Sequence, residues 1–372
     1  MKLAIVHDDL MRRGGAEQVA LSFCKAFPKA TLYTLCYHPD LTYPEFKNYS
    51  VKTSWFGKFA LTERQMKKRF FPLGIWAMKS LDLSEFDVVL VSSTFCGKYI
   101  KTKKHAKVIL YCHTPFRLAW FPDTYSEHRN TKGLKKILFN SVVSILRFID
   151  LKYAKKADYF LANSNEVLNR MRKCYRLDKP IHVVSPPVKV DNFFISTTPK
   201  NYYLLVSRFQ PYKKVDLVIE TFNEMPDKNL IIVGSGDDEA KLKASAKSNI
   251  TFNSGLSAQE LAGLYANCKA FIFPQHEDFG ITALEANASG RPVLAYGSGG
   301  ILETMIPYTG EGEPFTAIFF ESQTTDALKA AITKFESIEH MVDSEFIRIN
   351  AEKFSEVSFI NKIKECVVNY KQ

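Results

Sequence analysis

The sequence predicts an α/β protein made of two doubly wound, Rossmann-like parallel-sheet halves, and three observations carry that prediction. Short apolar runs alternate with helical stretches along most of the chain, the pattern of strand, crossover, strand. Glycine-rich turns follow several runs, at Gly14-Gly15, Gly234-Ser235-Gly236 and 297–300. A length of 372 residues exceeds one ordinary core and fits two of roughly 150 to 200 residues. Ser185-Pro186-Pro187 and the polar run 196–201 mark the boundary. The expected domains are therefore 1–190 and 191–354, with a closing helix, 355–372, returning to the first.

In the first half, apolar runs at 2–6, 30–35, 51–55, 87–91, 107–112, 158–163 and 181–184 read as strands, with helices at 16–27 and 166–175. Gly14-Gly15 opens the first helix, where glycines either let a ligand approach the backbone or simply turn the chain tightly. Residues 62–81 set Arg64, Lys67, Lys68 and Arg69 beside Phe70, Phe71, Leu73, Ile75 and Trp76, a pattern shared by membrane surfaces, nucleic-acid sites and core helices with a charged face. A second such stretch, 132–156, carries Ile137, Leu138, Val142, Ile145, Leu146 and Ile149 at helical spacing, which reads as packing against the sheet. Between the two lies 111–125, where His113 directly follows a strand's end, the edge at which loops carry ligands.

The second half restarts with a strand at 202–206 and a loop holding Arg208, Lys213 and Lys214 before a helix from about 215. Arg and Lys in that position can grip a diphosphate, one as a fork and one as a point charge. The strand at 229–233 ends in Gly234-Ser235-Gly236, but Glu239 stands where a dinucleotide fingerprint needs its third glycine, so it reads as a turn and argues against NAD. Ser257 and Glu260 form a capping box for a helix to 266. A strand at 270–273 then meets Pro274 and an acidic turn, and a helix follows over 281–289. Glu277 sits in the loop and Glu285 one turn into the helix, a spacing of E-x7-E, while the N–H groups of Phe279, Gly280 and Ile281 face outward at the helix start. Strands at 292–295 and 316–320 and helices at 324–335, 344–354 and 357–370 complete the chain.

Composition limits the partners. The net charge is +11, but residues 1–199 hold 33 Lys and Arg against 16 Asp and Glu, while the remainder holds 17 against 23. The basic half suits nucleic acid, a membrane surface or a phosphate-bearing acceptor, or is only a solvated surface. Seven cysteines without a C-x-x-C pair fit a reduced, cytosolic setting. The first residues are too short for a signal peptide, and no run approaches the ~18 apolar residues of a spanning helix. Asp8-Asp9 and Asp237-Asp238 read as exposed turns.

Taken together, H-E-D-F-G-I-T-A-L-E-A at 276–286, S-R-F-Q-P-Y-K-K-V-D-L at 207–217 and G-G-A-E at 14–17 resemble the retaining family 4 glycosyltransferases of GT-B fold. Y-C-H-T-P at 111–115 and P-Y-K-K-V-D resemble a bacterial branch with O-antigen and lipopolysaccharide mannosyltransferases that use GDP-mannose. The resemblance spans nearly the whole chain and implies two domains facing each other across a cleft. It implies that Glu277 contacts the donor sugar, Glu285 the ribose, and Arg208 and Lys213 the diphosphate. His113 would meet the sugar from the opposite domain, and Gly14-Gly15 would line the cleft near the donor phosphate and the acceptor. Lys213-Lys214 replaces the branch's usual K-R or K-G, leaving two lysines for one phosphate contact. A nucleotide-sugar co-substrate and a glycan or polyprenyl-diphosphate acceptor are implied, with no metal, no cofactor and no nucleic acid. The implied location is the cytoplasm, with peripheral contact at the inner face of the plasma membrane. A UDP-sugar donor on the same fold is the alternative, alongside a basic binding protein without transferase activity.

Overall fold

The computed structural model describes residues 2–59, 62, 65, 66, 72–124, 128, 131–310 and 312–369. Arg64, Lys67, Lys68, Arg69, Phe70 and Phe71 of the basic-aromatic stretch lie outside the described residues, as do Tyr125 and Tyr370. The chain forms two compact units, Met1–Pro187 with Val357–Gln372, and Val188–Glu356.

In the first unit the strands are β1 (Leu3–His7), β2 (Thr31–Thr34), β3 (Val51–Thr53), β4 (Val88–Ser93), β5 (Lys107–Cys112), β6 (Tyr159–Ala162) and β7 (Ile181–Val183). They pair in parallel in the order β3-β2-β1-β4-β5-β6-β7. Both faces of such a sheet are covered, so β1 is buried throughout and its alternating side chains feed two cores. Leu3 and Ile5 join one core with Phe23 of α1 (Gly15–Ala26). Ala4 and Val6 join the other with α2 (Leu73–Lys79), α4 (Gly133–Ala154) and α5 (Asn165–Tyr175); α3 (Arg117–Trp120) precedes α4. The closing helix α13 (Glu356–Asn369) packs on the first core, its Phe359 stacked on Phe23 at 5.7 Å between centroids.

The second unit holds β8 (Tyr203–Val206), β9 (Leu230–Val233), β10 (Ile250–Asn253), β11 (Phe271–Phe273), β12 (Val293–Tyr296) and β13 (Ala317–Phe320), all parallel, in the order β10-β9-β8-β11-β12-β13. One face carries α6 (Val215–Asn223) and α11 (Thr325–Ile338), with α7 (Glu239–Ser245) beside α6. The other carries α8 (Ala258–Asn267), α9 (Ile281–Ala288), α10 (Ile301–Thr304) and α12 (Ser344–Glu352). The capping box of α8 is formed in full: Glu260 N–H donates to Ser257 Oγ at 3.2 Å and Ser257 N–H to Glu260 Oε2 at 2.8 Å.

Three expectations are corrected. Residues 250–253 form a strand that the sequence did not announce, because four residues carry too little periodicity and the pairing with β9 decides them. Asp8 and Asp9 are buried, not an exposed turn. In α4, Ile137, Leu138 and Ile145 face solvent instead of the sheet, where Val143, Leu146 and Ala154 are buried.

Candidate functional site

In both units the sheet order reverses once, between β1 and β4 and between β8 and β11. Crossovers there leave to opposite faces, so the loops at the strands' carboxyl ends part and leave a ligand crevice.

In the second unit the loops after β8 and β11 meet at this point. The first ends in the short turn Pro211–Lys213, and Lys213 Nζ forms an ion pair with Glu277 Oε1 of the second. Both side chains are mostly shielded, which strengthens the attraction. Lys213 also lies over the Tyr212 ring at 5.4 Å. Arg208 is exposed, with Nη2 3.4 Å from Tyr212 Oη. Lys214 takes a left-handed backbone (φ 55°) as the cap of α6, so the two lysines leave the chain from different conformations. Two glycines hold these loops in place by close backbone approach. A Cβ at Gly234 would stand 1.8 Å from Ser207 O, and one at Gly300 2.3 Å from Asp278 O. The first lets the loop after β9 seat the Arg208 loop; the second seats the Glu277 loop, where Gly300 N–H donates to Glu277 O at 2.9 Å. Gly280 caps α9, leaving the first N–H groups of that helix at the same edge.

Glu285, on α9, accepts a hydrogen bond from Tyr265 Oη at 2.9 Å. Burial pushes its carboxyl up from 4.5 to about 7, and the tyrosine bond only partly offsets this. The same pairing, after burial, raises the Tyr265 hydroxyl well above its ordinary value.

In the first unit β1, β4 and β5 end side by side, with His7 registered against Ser92 and Ser93 against Cys112. Ser92 Oγ stands 3.0 Å from His7 Nδ1 and 2.8 Å from His113 Nε2, so one hydroxyl bridges two histidines. Asn163 Nδ2–H donates to His113 O at 3.0 Å and fixes its backbone. Behind His7 stands Glu17 of α1, 4.0 Å from Nε2; that is beyond hydrogen-bond length, so the attraction is Coulombic. Arg12 donates from Nε to Glu17 and from Nη2 to Asp9, each at 2.9 Å. Burial alone would lower the His7 imidazole, but Glu17, Asp8 and Asp9 outweigh it and raise it. Burial likewise raises the Glu17 carboxyl, yet His7 and Arg12 bring it below its ordinary value. Asp9 is pushed by burial to about 6 in spite of Arg12. Asp8 accepts from Ser93 Oγ and from the N–H groups of Phe95 and Cys96, which ties the loop after β4 to the end of β1.

The bridge has two hydrogen-bond directions. When His7 is charged, Nδ1–H donates to Ser92, whose O–H can then donate to His113 Nε2, leaving the His113 proton on Nδ1. When His7 is neutral with its proton on Nε2 toward Glu17, Nδ1 accepts from Ser92, and His113 Nε2–H donates to Ser92 instead. Through Ser92 the charge of His7 and the tautomer of His113 are coupled.

Of the residues singled out from sequence, Arg208, Lys213, Glu277, Phe279 and Gly280 lie on the two loops of the second unit's switch point, with Lys214 capping α6 and Ile281 and Glu285 on α9. Phe279 itself is buried, against Phe354. His113 is at the switch point of the first unit. Gly14 and Gly15 start α1, where a Cβ on Gly14 would meet Glu17 Oε2 at 2.6 Å, so the turn makes room for that carboxylate. His7, Arg12, Ser92 and Tyr265 were not singled out, and Asp9 was read only as part of an exposed turn. The signal for His7 was present, since H-D-D follows an apolar strand at its carboxyl end, as His113 does.

Two Rossmann-like units, each with polar loops at its switch point and, on the second, a cationic loop paired with an acidic one, define a GT-B glycosyltransferase. Residues 13–192 match the profile of Glycosyltransferase Family 4 and residues 191–353 that of Glycosyl transferases group 1, and the chain belongs to family 4. It is 25% identical over 411 residues to the alpha-1,3/1,6-mannosyltransferase ALG2 of Candida glabrata, covering 91% of this chain and 85% of the relative. It is 28% identical over 184 residues to the O-antigen chain mannosyltransferase RfbU of Salmonella typhimurium, covering 47% and 48%. Among solved structures, Anabaena Alr3699/HepE in complex with UDP superposes with a TM-score of 0.71 at 16% identity, covering 99% of this chain and all of the other, and that likeness concerns the fold. The protein is therefore a glycosyltransferase, an enzyme that takes a nucleotide-sugar donor and a glycosyl acceptor.

Proposed function

We propose that the protein transfers mannose from GDP-mannose, with retention, to a hydroxyl of a lipid-linked or oligosaccharide acceptor in surface polysaccharide synthesis. The observation that carries the donor half of this reading is the Lys213–Glu277 pair at the β8/β11 switch point, beside the open N–H groups of α9. The mannosyltransferase relatives support the sugar. As the bond between sugar and diphosphate breaks, negative charge grows on the leaving diphosphate; Lys213 and the N–H groups at Gly280 and Ile281 are donors fixed before the reaction, which is the efficient way to stabilise such charge, and the exposed Arg208 on the same β8 loop adds a second cation. Glu277 orients the sugar and holds Lys213 in place. Glu285, half-buried under Tyr265, is assigned to the ribose, and His113 to the sugar, by resemblance to the family. Glu277 is tied to a lysine and Glu285 to a tyrosine, so neither stands ready as a nucleophile. Front-face attack, with the leaving phosphate taking the acceptor's proton, suits that arrangement. The free cysteines accord with a cytoplasmic setting.

A thermal-shift screen of GDP-mannose against UDP-, ADP- and dTDP-sugars tests the reading. A specific donor at a hundred times its dissociation constant adds about 2.7 kcal/mol to stability, an easily measured rise in melting temperature. The largest rise is expected with GDP-mannose. A rise with UDP-sugars alone reassigns the donor, and no rise with any of them removes the proposal.

A further inference from the structure

The outer face of α4 is apolar and uncovered. Its inner face is locked: Asp150 is fully buried, 2.8 Å from Lys98 Nζ, and accepts from Tyr99 Oη at 2.9 Å and Trp120 Nε1 at 2.8 Å. Val143, Leu146 and Ala154 are buried on the same side. With the rotation of the helix set, Leu134, Ile137, Leu138, Ile145 and Phe148 fall on one opposite stripe, with Leu134 83% and Phe148 66% exposed. Five large apolar side chains in register on one exposed helix face mark an interaction surface.

The charges around the stripe say what covers it. Lys152, Lys155 and Lys156 are exposed and continue the stripe beyond its end, and Lys132 and Lys135 stand exposed at its start. Asp150 is the only acidic residue from 132 to 156, and it points inward. Lys79 of α2 lies over the Tyr153 ring at 5.2 Å, which brings α2, with Leu73 and Trp76 also exposed, to the lysine-rich end. A second copy of the helix would set lysines against lysines whether it ran parallel or antiparallel. An apolar stripe flanked by cations suits a bilayer interface with anionic headgroups, where the apolar residues enter the acyl boundary and the lysines meet phosphate. We propose that the outer face of α4 docks the protein on an anionic membrane, with the helix lying in the plane of the interface. The purpose of this contact rests on the lipid-linked acceptor proposed above; the contact itself is measured without donor or acceptor.

The test is co-sedimentation of the full chain with vesicles of phosphatidylcholine alone and with phosphatidylglycerol added, over a salt series. Wild type is expected to bind the anionic vesicles and to weaken as salt rises. Lys152→Glu with Lys155→Glu and Lys156→Glu should reduce binding on the order of a hundredfold or more, since each basic residue near the surface is worth about fivefold. Separately, Leu138→Asp with Phe148→Asp should reduce it on the order of a hundredfold, since burying each such apolar side chain is worth about tenfold or more. These positions are exposed, so melting temperature and the thermal shift with GDP-mannose should not change. Absence of wild-type binding, or binding that the variants leave intact, overturns the proposal. So does a concentration-dependent dimer in sedimentation velocity that Leu138→Asp with Phe148→Asp dissociates, because a second copy would then cover the stripe. A failed donor screen with intact vesicle binding would count against the transferase reading and leave this one standing.

Discussion

Replacing Glu285 with Gln separates the cost of the site from its use. Burial raises the carboxyl to about 7 in the folded protein against an ordinary 4.5, and the hydrogen bond from Tyr265 only partly offsets that rise. A raised carboxyl favours folding while it is protonated, so that contribution is complete below about pH 4.5 and is lost as pH rises through about 7. At about 1.36 kcal/mol per pH unit the ionised form costs up to about 3 kcal/mol at pH 8. Glutamine keeps an acceptor for Tyr265 and carries no charge. The variant should therefore melt several degrees higher than wild type at pH 8, by about 3 °C for each kcal/mol recovered, and differ little at pH 5. Circular dichroism or dye-binding melts from pH 5 to 8 measure this directly. If the carboxylate also accepts from the donor ribose, the same variant loses donor affinity while gaining stability. A variant no more stable than wild type at pH 8, or equally stabilised at pH 5, would refute the reasoning.

Lys213→Met should weaken GDP binding by about 10- to 100-fold, the worth of one charge-assisted contact, whereas Lys214→Met should stay within about threefold; calorimetric titration with GDP decides, and the reverse ranking would reassign the phosphate contact. Ser92→Ala should cut the bridge between His7 and His113. Imidazole ¹⁵N shifts should show the His113 tautomer changing as His7 titrates in wild type and not in the variant, and kcat should fall with the donor KM nearly unchanged; a tautomer independent of pH in wild type would defeat the relay.

Much of the fold was legible because parallel strands buried on both faces appear as short apolar runs, as 107–112 does without an error at either end. The helix over 132–156 shows where such reading stops. Its spacing announced an apolar stripe, but spacing does not say which side of a helix meets the sheet. Val143, Leu146 and Ala154 are buried on one side, and Asp150 ties that side to Lys98, Tyr99 and Trp120. Ile137, Leu138 and Ile145 are therefore turned outside. In the site, the loops were visible as polar turns after strands, yet the pairing of Lys213 over Lys214 with Glu277 depends on a left-handed turn at 214 that no residue type there demands. Asp8-Asp9 looked like a solvated turn because two adjacent carboxylates ordinarily are one. They are buried because N–H groups of the 95–96 turn, Ser93 and Arg12 receive them. His7 and Ser92 meet only because their strands are neighbours in register, which sequence order alone does not reveal.

The most direct test of the account is Glu277→Ala assayed for transfer from GDP-mannose alongside GDP affinity and melting temperature. With Lys213 freed from its partner and the sugar no longer oriented, turnover should fall by on the order of a hundredfold or more, while the fold survives and GDP still binds. Turnover equal to wild type would contradict the claim that the Lys213–Glu277 pair is the donor clamp.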